Sequence, residues 1–584
     1  MTQAAVAKYG SAAIPEAEHR IEPTSKSTLD EALAILQDHK KEWAALDVDE
    51  RIDLLEELRD GVVQVAQRWV DASVEAKGLT AGSAQEGEEW LAGASLVVRN
   101  LSLLIGSLRD VAKKGAPQLP KDPFKRPDGQ VVAPVFPTDS WDALLFQGFT
   151  AEVWMDPEVR LDDLPNQQAG FYRAPSHTGR VALVLGAGNV SSIGPMDALY
   201  KLFVEGEVVI LKMNPVNEYL GPIIDEAFAP VRERGYFRVV YGGAAEGEYL
   251  CQHPLVEEIH ITGSDKTHDA IVFGVGAEGA RRKASREPRN PKHITSELGN
   301  VSPIIIVPGP WSKGDLNFQA LNVASSLINN AGFNCTTTRV IIQHEQWNQR
   351  EAFLDAVRGV LRQEPDRKPY YPGAENRQQA FVGQHPDADQ FGSEGAGKVP
   401  WTLIHHLDPA KTDDVCFTTE AWCGLTGEVA VSANSIAEYI ERAVEFANDS
   451  IWGTLNASII VHPKSLKDPV VADALERAVA DLRFGSVAVN HWAALAYGLV
   501  TPTWGAFPGH TLEDIRSGRG VVHNTYLFDK PQKSVIRGPF RVFPKPAWFV
   551  TNKTSAEIGR KLTYFYADPS FTRIPSILVS AIKG

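Results

Sequence analysis

Short apolar segments alternate with helix-forming segments between residues 180 and 298, and this alternation constrains the fold more than any other feature of the chain. Helical patterns such as 195–205 and 221–234 separate the apolar segments. Short apolar strands joined by helices predict a parallel, doubly wound α/β sheet with right-handed crossovers. Ligands of such sheets bind at the carboxyl ends of the strands. The predicted strands are 181–185, 208–211, 238–241, 258–261 and 293–295.

A second alternating region begins at residues 304–307, and it predicts a second α/β unit. Its predicted elements are a helix at 318–328, a strand at 340–343, a helix at 350–362, and strands near 429–431, 458–461 and 485–490.

The flanking segments have a different character. Six prolines between residues 117 and 137 forbid a long helix, so we interpret this stretch as an excursion that could wrap a neighbouring subunit. We predict that residues up to about 26 form a loose extension. The apolar tail from residue 541 onward is expected to pack or to bridge subunits.

The composition excludes several classes of protein. The chain of 584 residues is 43% hydrophobic and 22% charged, which is typical of a globular protein with a large core. A formal net charge of -15 argues against a surface for nucleic acid or anionic membranes. Four cysteines without a CxxC pair favour a reducing compartment. Residues 1–15 lack the pattern of a signal peptide, and no apolar run approaches the ~20 residues of a membrane span. We therefore expect a cytoplasmic protein.

One cysteine stands where a ligand could meet it. Cys335 lies in the small, polar segment 329–339, between a helical pattern and a strand pattern. As a thiolate it would be a nucleophile, and we expect it to attack a carbonyl carbon. The alternative is a packing role, which free cysteines usually have and which we assign to Cys416 and Cys423.

Polar residues at the strand ends are candidate partners for this cysteine. Asn189 follows the first strand in a GxG turn that lacks the third glycine of the dinucleotide fingerprint. Its amide could stabilise an oxyanion or merely cap a loop. Lys212, which ends the second strand, can reach a ribose or a phosphate, or it is a solvated strand end. Gly263 and Ser264 precede a helix, where they could form an anion site or an ordinary turn.

Two glutamates complete the set of candidates. Glu297 lies between the two alternating regions, where a buried carboxylate can act as a general base for water. Glu420 could bind a nucleotide ribose. Each could equally be a surface salt-bridge residue. The pair His405-His406 has no second pair to complete a metal site, so no metal is predicted.

Taken in order, these segments resemble the aldehyde dehydrogenase superfamily from about residue 30 to about residue 520. The resemblance implies an α/β fold with two doubly wound domains and an oligomerisation element. The implied parts are a nicotinamide-cofactor domain over 1–296 with an oligomerising excursion near 115–175, a catalytic domain over 297–510, and a C-terminal bridging segment over 511–584. It also implies a homodimer or homotetramer. The residues that carry the resemblance are Asn189, Lys212, Thr262-Gly263-Ser264, Glu297-Leu298-Gly299, Asn334-Cys335, Glu420 and Asn490.

The roles that the resemblance implies are carried over by position. Cys335 would be the nucleophile, Asn189 would form the oxyanion hole with the backbone amide of Cys335, and Glu297 would activate the cysteine or water. The cofactor, NAD or NADP, would be held by Lys212, Gly263, Ser264, Gly299 and Glu420. The implied reaction oxidises an aldehyde to a carboxylic acid through a thiohemiacetal and a thioester.

Several positions depart from the family pattern. Pro215 replaces the glutamate with which NAD-preferring members bind the adenosine ribose, so NADP stays open. Gly188 replaces the aromatic residue that usually precedes the asparagine, and residues 504–509 alter the glycine-rich loop. Two alternatives also stay open: a CoA-acylating reductase of the same fold, against which Glu297 counts, and a non-catalytic scaffold. The identity of the aldehyde does not follow from the sequence.

Overall fold

The computed structural model describes residues 9–393, 395 and 397–584, and two large sheets form its frame. The first sheet has six strands, all parallel except for one short edge strand. All five strands that the sequence predicts between residues 180 and 298 are present, so the predicted α/β sheet is confirmed. In spatial order the strands are Gly518–Arg519, His293–Leu298, Glu258–Gly263, Val181–Leu185, Val208–Lys212 and Phe237–Val240.

The second sheet has eleven strands, and its seven central strands are parallel. Antiparallel strands extend it on both sides. It contains the strands that were predicted after residue 300. In spatial order its strands are Asp389–Phe391, Trp401–Leu407, Leu425–Val431, Thr338–His344, Ser302–Ile306, Asn456–Ile460, Ser486–Val489, Pro531–Arg537, Thr150–Met155, Val131–Phe136 and Phe124–Lys125.

Helices surround both sheets, and local sequence signals set their bounds. Val48–Lys77, for example, begins with a capping box of Asp47 and Glu50 and ends at Gly78, whose φ of 65° is left-handed. The helices before residue 300 are Lys26–Ala45, Val48–Lys77, Ala84–Leu91, Ala94–Lys114, Ser140–Leu145, Gly170–Arg173, Ile193–Leu199, Gly221–Ala227, Ala229–Glu233, Ala244–Gln252, Asp265–Val272 and Gly276–Ser285. The later helices are Lys313–Ile328, Arg350–Leu361, Ala374–Val382, Val415–Thr418, Ile436–Asp449, Pro469–Asp481, Leu495–Leu499, Ser555–Ala567 and Ile574–Lys583.

The proline-rich excursion and the C-terminal tail both contact other segments of the same chain. Strands Val131–Phe136 and Thr150–Met155 continue the second sheet beyond Pro531–Arg537. The excursion thus pairs with strands of its own chain, and the expected contact with a neighbouring subunit stays a prediction. The tail helix Ser555–Ala567 packs on Ala84–Leu91 and Ala94–Lys114.

The prediction of a loose N-terminal extension is wrong for residues 9–25. Gly10–Ser11 pair in parallel with Thr419–Glu420, and the Ile21 amide donates to the Glu218 carboxylate at 2.9 Å. Backbone pairing and carboxylate contacts across such sequence separations leave no periodic pattern, so the sequence did not indicate them. Residues 1–8, on which part of the signal-peptide expectation rests, lie outside the described residues.

One helical stretch among the described residues, Ala84–Lys114, is long and apolar enough to cross a membrane by length and composition. However, 72% of its most apolar window is buried inside the fold. Leu101, Leu104 and Leu108 belong to the same core as the first sheet. The stretch is thus packed as a core element.

Candidate active site

Two cavities meet between the two sheets. The larger has a volume of about 600 Å³ and lies against the carboxyl ends of the first sheet, where ligands of parallel sheets bind. The smaller has a volume of about 170 Å³. Asn189, Ile193, Glu297 and Cys335 line both. The predicted nucleophile, base and oxyanion-binding amide therefore stand at the passage from one cavity to the other.

The larger cavity is lined by all eight residues for which a catalytic or cofactor-binding role was predicted. The fold brings together side chains from strands that are far apart in the chain, because the carboxyl ends of parallel strands share one edge. The eight residues are Asn189, Lys212, Gly263, Ser264, Glu297, Gly299, Cys335 and Glu420.

Cys335 follows a tight turn after the helix Lys313–Ile328. Asn330 and Ala331 have left-handed φ values of 53° and 56°, and a Cβ on Gly332 would lie 2.6 Å from the backbone of Cys423. The backbone carbonyl of Cys335 accepts hydrogen bonds from the Ser302 hydroxyl at 2.8 Å and from Asn456 Nδ2 at 3.0 Å. The thiol is thus held on a fixed backbone at the start of the second sheet.

Glu297 lies in the strand His293–Leu298 and is 4% exposed. Burial raises its pKa to about 8, and the charges of Asp197 and Glu420 act in the same direction. Hydrogen bonds from the Cys335 thiol and from Trp504 oppose this rise. Its Oε1 has no hydrogen-bond partner among the described residues. Glu297 is therefore a buried carboxyl group that can take up or hold a proton near neutral pH.

The thiol of Cys335 is a poor acid in this environment. Burial raises its pKa well above the usual range, and the negative charges of Glu297 and Glu420 raise it further. A thiol must lose its proton before it becomes a nucleophile. Since Glu297 is its hydrogen-bond partner, Glu297 is the group placed to accept that proton.

Asn189 is tied directly to the cysteine turn. It is 3% exposed, and its Nδ2 donates to the carbonyl of Phe333 at 3.0 Å. The backbone carbonyl of Asn189 accepts hydrogen bonds from Asn330 Nδ2 at 2.9 Å and from the Tyr370 hydroxyl at 3.0 Å. A side-chain amide has two hydrogens, and this contact with Phe333 uses one of them.

Charged residues that the sequence analysis did not predict contact the turn before Cys335 and stabilise it. Lys77 and Glu89 form a buried ion pair at 2.7 Å, and Lys77 also donates to Asn330 Oδ1 at 3.0 Å. Arg367 binds both oxygens of Glu88 at 2.7 Å. These residues come from helix ends and an irregular loop, where no periodic pattern or motif marks them.

Gly299 and Glu420 form one close contact on the cofactor side. A Cβ at Gly299 would lie 2.1 Å from Glu420 Oε2, so only glycine leaves this carboxylate in place. Glu420 Oε1 accepts the amide of Asn300 at 3.2 Å. Burial raises the pKa of Glu420 to about 7, although Arg339 opposes the rise. The surface-residue alternative for Glu420 is excluded, since it is 2% exposed.

Lys212 ends the strand Val208–Lys212, and Ser264 follows the strand Glu258–Gly263; the strand Val181–Leu185 lies between these two. Lys212 is 7% exposed, and burial lowers its pKa. Its Nζ lies 3.4 Å from the Met213 carbonyl oxygen, and it makes no salt bridge with any described residue. The Ser264 hydroxyl caps the helix Asp265–Val272 by accepting the Thr267 amide at 3.1 Å. A buried ammonium group with so little compensation can bind a polar ligand.

The departures from the family pattern have structural reasons. A Cβ at Gly188 would lie 2.6 Å from Asn214 Oδ1, so an aromatic side chain has no room there. Trp504 pairs with Val522 in a short antiparallel ribbon and lines the smaller cavity. Asn490 is structural, because its Oδ1 accepts the Val461 amide at 2.8 Å.

The smaller cavity has mostly apolar walls. They come mainly from the helices Ala84–Leu91 and Ala94–Lys114, from the segment 492–504 after the strand Ser486–Val489, and from the C-terminal tail. The tail supplies Trp548, Leu562 and Tyr566. Glu88, which also borders the cavity, is neutralised by its pair with Arg367. The remaining apolar lining residues are Leu91, Ala92, Leu96, Phe146, Val190, Ile193, Trp492, Ala494, Leu495, Tyr497, Leu499 and Trp504.

Comparison with known proteins agrees with this arrangement. The sequence model described as the aldehyde dehydrogenase family matches residues 158–377. This segment of the chain is similar in sequence to the aldehyde dehydrogenase family. The 4-trimethylaminobutyraldehyde dehydrogenase of Homo sapiens is 33% identical over 145 residues, which are 24% of this chain and 26% of that relative. The match thus spans about a quarter of the relative's length, from which neither substrate nor activity transfers.

Solved structures of the superfamily share the fold over most of the chain. Glyceraldehyde-3-phosphate dehydrogenase from Methanocaldococcus jannaschii, solved with NADP, has a TM-score of 0.56 and 14% identity, covering 89% of this chain and 96% of its own. An NAD-dependent aldehyde dehydrogenase from Sinorhizobium meliloti has a TM-score of 0.56 and 15% identity, covering 90% of this chain and 88% of its own. At this identity the likeness establishes the fold alone.

Proposed function

We propose that this protein oxidises an aldehyde to a carboxylic acid, with NAD or NADP as hydride acceptor and Cys335 as nucleophile. One observation carries the proposal. The larger cavity on the first sheet and the smaller, mostly apolar cavity beside the C-terminal tail share Cys335, Glu297 and Asn189 in their linings. A cofactor entering from one side and an aldehyde from the other would reach the same thiol.

The larger cavity suits a nicotinamide dinucleotide. Lys212 offers a buried ammonium group with no salt-bridge partner among the described residues, and Gly299 leaves space that the Glu420 carboxylate occupies. Ser264 and Gly263 add a helix N-terminus at a strand end. Superfamily structures have been solved with NADP or are described as NAD-dependent. When bound, the nicotinamide supplies the hydride acceptor.

In the first half of the reaction, Glu297 takes the proton of the Cys335 thiol. The sulfur then bonds to the aldehyde carbon, and the carbonyl electron pair moves to the oxygen. The Asn189 amide and the backbone amide of Cys335 hold this oxyanion. When the oxyanion re-forms the carbonyl group, the carbon loses its hydrogen as hydride and remains bound to sulfur as a thioester.

In the second half, Glu297 must be unprotonated again, so the first proton has left to solvent. Glu297 then removes a proton from a water molecule as that water attacks the thioester carbon. The carbon–sulfur bond breaks, the acid leaves, and Cys335 regains a proton. The Glu297 carboxylate accepts one proton in each half of the reaction, the first from its hydrogen-bond partner Cys335.

The smaller cavity indicates the class of aldehyde. Its volume of about 170 Å³ is close to that of an engineered apolar cavity, about 150 Å³, that takes up benzene. Its walls are mostly apolar; of its two carboxyl groups, Glu88 is paired with Arg367, and Glu297 is the proposed base. We propose an aldehyde that carries an aromatic ring or an alkyl chain of similar size, rather than a polar or phosphorylated one.

The test is turnover of benzaldehyde and hexanal with each cofactor, followed through the absorbance of reduced nicotinamide. Cys335→Ala should abolish turnover, and the buried Cys416→Ala, which lies away from both cavities, should retain it. Retained turnover in Cys335→Ala would remove this thiol from the mechanism. Acid as the product without added CoA supports hydrolysis, whereas a CoA thioester formed only with CoA would favour the acylating alternative.

We also propose that the chain assembles into a homodimer or homotetramer in a reducing compartment such as the cytoplasm. Its four cysteines are all free thiols, as a reducing environment requires. Phe543 and Phe571 are 84% and 79% exposed, and a subunit contact would cover such apolar surface. Sedimentation of the purified protein would give the number of subunits.

A further inference from the structure

The N-terminal segment forms one wall of the cofactor-side cavity. Residues 11–17 line it without interruption. The segment is fixed at both ends: the Ser11 amide donates to Asp265 Oδ1 at 2.9 Å, and the Ile21 amide donates to Glu218 Oε1 at 2.9 Å. The segment therefore runs along the cavity between the segments that follow the strands Glu258–Gly263 and Val208–Lys212 of the first sheet.

Glu16 presents its carboxylate to the first turn of a helix on this wall. The amide of Ala244, the first residue of the helix Ala244–Gln252, donates to Glu16 Oε1 at 2.8 Å. A Cβ at Gly243 would lie 1.7 Å from the same oxygen, so the missing side chain of Gly243 makes the contact possible. A carboxylate at a helix N-terminus is also favoured by the helix dipole.

Lys212 lies on the same cavity, and Glu16 is close enough to act on it electrostatically. Burial lowers the pKa of Lys212, whereas Glu246 and Glu16 raise it. The other cations of the cavity are already engaged. Lys266 donates to the Ser11 carbonyl, and Arg289 pairs with Glu248 at 3.0 Å. Lys212 is therefore the cation that a ligand would meet here, and Glu16 is the acid that the N-terminal wall presents to it.

We propose that Glu16 selects NAD over NADP. This inference rests on the proposed function, in which a nicotinamide dinucleotide occupies the cavity that Lys212 and Glu16 both line. A carboxylate can accept hydrogen bonds from the two ribose hydroxyls, whereas it repels a 2′-phosphate. Glu16 thus supplies, from the N-terminal segment, the acid that Pro215 lacks. The expectation that NADP can bind was drawn from Pro215, in the loop after the second strand, whereas Glu16 lies outside that loop.

The experiment compares the dissociation constants of NAD and NADP for the full-length wild type, Glu16→Gln and Glu18→Gln, by calorimetry without substrate. Glu18 is an exposed acid two residues away on the same segment, so it controls for net charge. The wild type and Glu18→Gln should bind NAD more tightly than NADP. Glu16→Gln should reduce that preference by about tenfold, the effect of losing one hydrogen bond to a charged group.

An unchanged ratio of the two constants in Glu16→Gln would overturn the inference and leave the proposed function intact. Equal tightening of both cofactors would also overturn it, since it would mean that the segment competes with the cofactor. Failure of the wild type to bind either nucleotide would instead overturn the proposed function, and this inference with it.

Discussion

Replacing Glu297 with glutamine should remove the pH dependence of thioester hydrolysis. Glutamine keeps the size of the side chain but cannot take a proton from water. Because burial raises the pKa of Glu297 to about 8, its basic form is lost as the pH falls below that value. Hydrolysis by the wild type should therefore slow in acid and rise toward alkaline pH.

The size of the effect follows from the titration of one group. With a pKa of about 8, roughly 9% of Glu297 is unprotonated at pH 7 and roughly 91% at pH 9. The rate of hydrolysis should therefore rise about tenfold between these values. In the thioester state Cys335 carries no proton, so this step isolates Glu297. The thiol's hydrogen bond, which lowers the pKa of Glu297, is also absent then, so the midpoint should not lie below 8.

The assay is rapid mixing of enzyme, cofactor and benzaldehyde at pH 7, 8 and 9. The burst of reduced nicotinamide reports thioester formation, and the later steady rate reports its hydrolysis if hydrolysis is slower. Glu287→Gln, at an exposed glutamate, is the matched control and should keep the wild-type profile. A wild-type rate that is flat with pH, or a Glu297→Gln profile that matches the wild type, would refute the assignment of the base.

Three further outcomes are expected. Gly299→Ala should weaken cofactor binding in calorimetry while preserving the fold, because its Cβ would lie 2.1 Å from Glu420 Oε2; unchanged affinity would exclude this contact from the site. Asp142→Ala should lower the free energy of unfolding in urea by about 3–5 kcal/mol, since it leaves the buried Arg99 guanidinium without its bidentate partner at 3.0 Å. In a series of straight-chain aldehydes, kcat/KM should rise about fourfold per methylene while the apolar cavity fills, at ~0.8 kcal/mol each. Leu562→Asp should flatten that series, and a wild-type preference for glyceraldehyde would contradict the proposed substrate class.

The candidate residues at strand ends could be predicted because two physical patterns coincide in the sequence. Apolar strands of known period locate the sheet, and the carboxyl ends of parallel strands share one edge. Lys212, Gly263 and Glu297 follow from that geometry without knowledge of any contact. Cys335 was predicted from its small, polar surroundings, which the structure resolves as a left-handed turn at Asn330 and Ala331.

Other parts of the site depend on contacts that no local pattern records. Lys77 reaches Asn330 across 253 positions, and Glu16 reaches Ala244 across 228. Val131–Phe136 contains Pro134 yet pairs in the second sheet, because the ladder shifts its register beside that proline. Polar contacts between distant segments are specific in three dimensions but carry no periodicity, so the N-terminal wall and the support behind the cysteine turn became visible only in the structure.

Direct detection of the covalent intermediate tests the central claim. Enzyme mixed with benzaldehyde and cofactor is quenched in acid, digested and analysed by mass spectrometry, with Glu297→Gln used to prolong the intermediate. We expect a benzoyl group on the peptide that contains Cys335, in larger amount in Glu297→Gln than in the wild type. Full turnover with Cys335 unmodified, or a benzoyl group on Cys251, Cys416 or Cys423 instead, would contradict the mechanism.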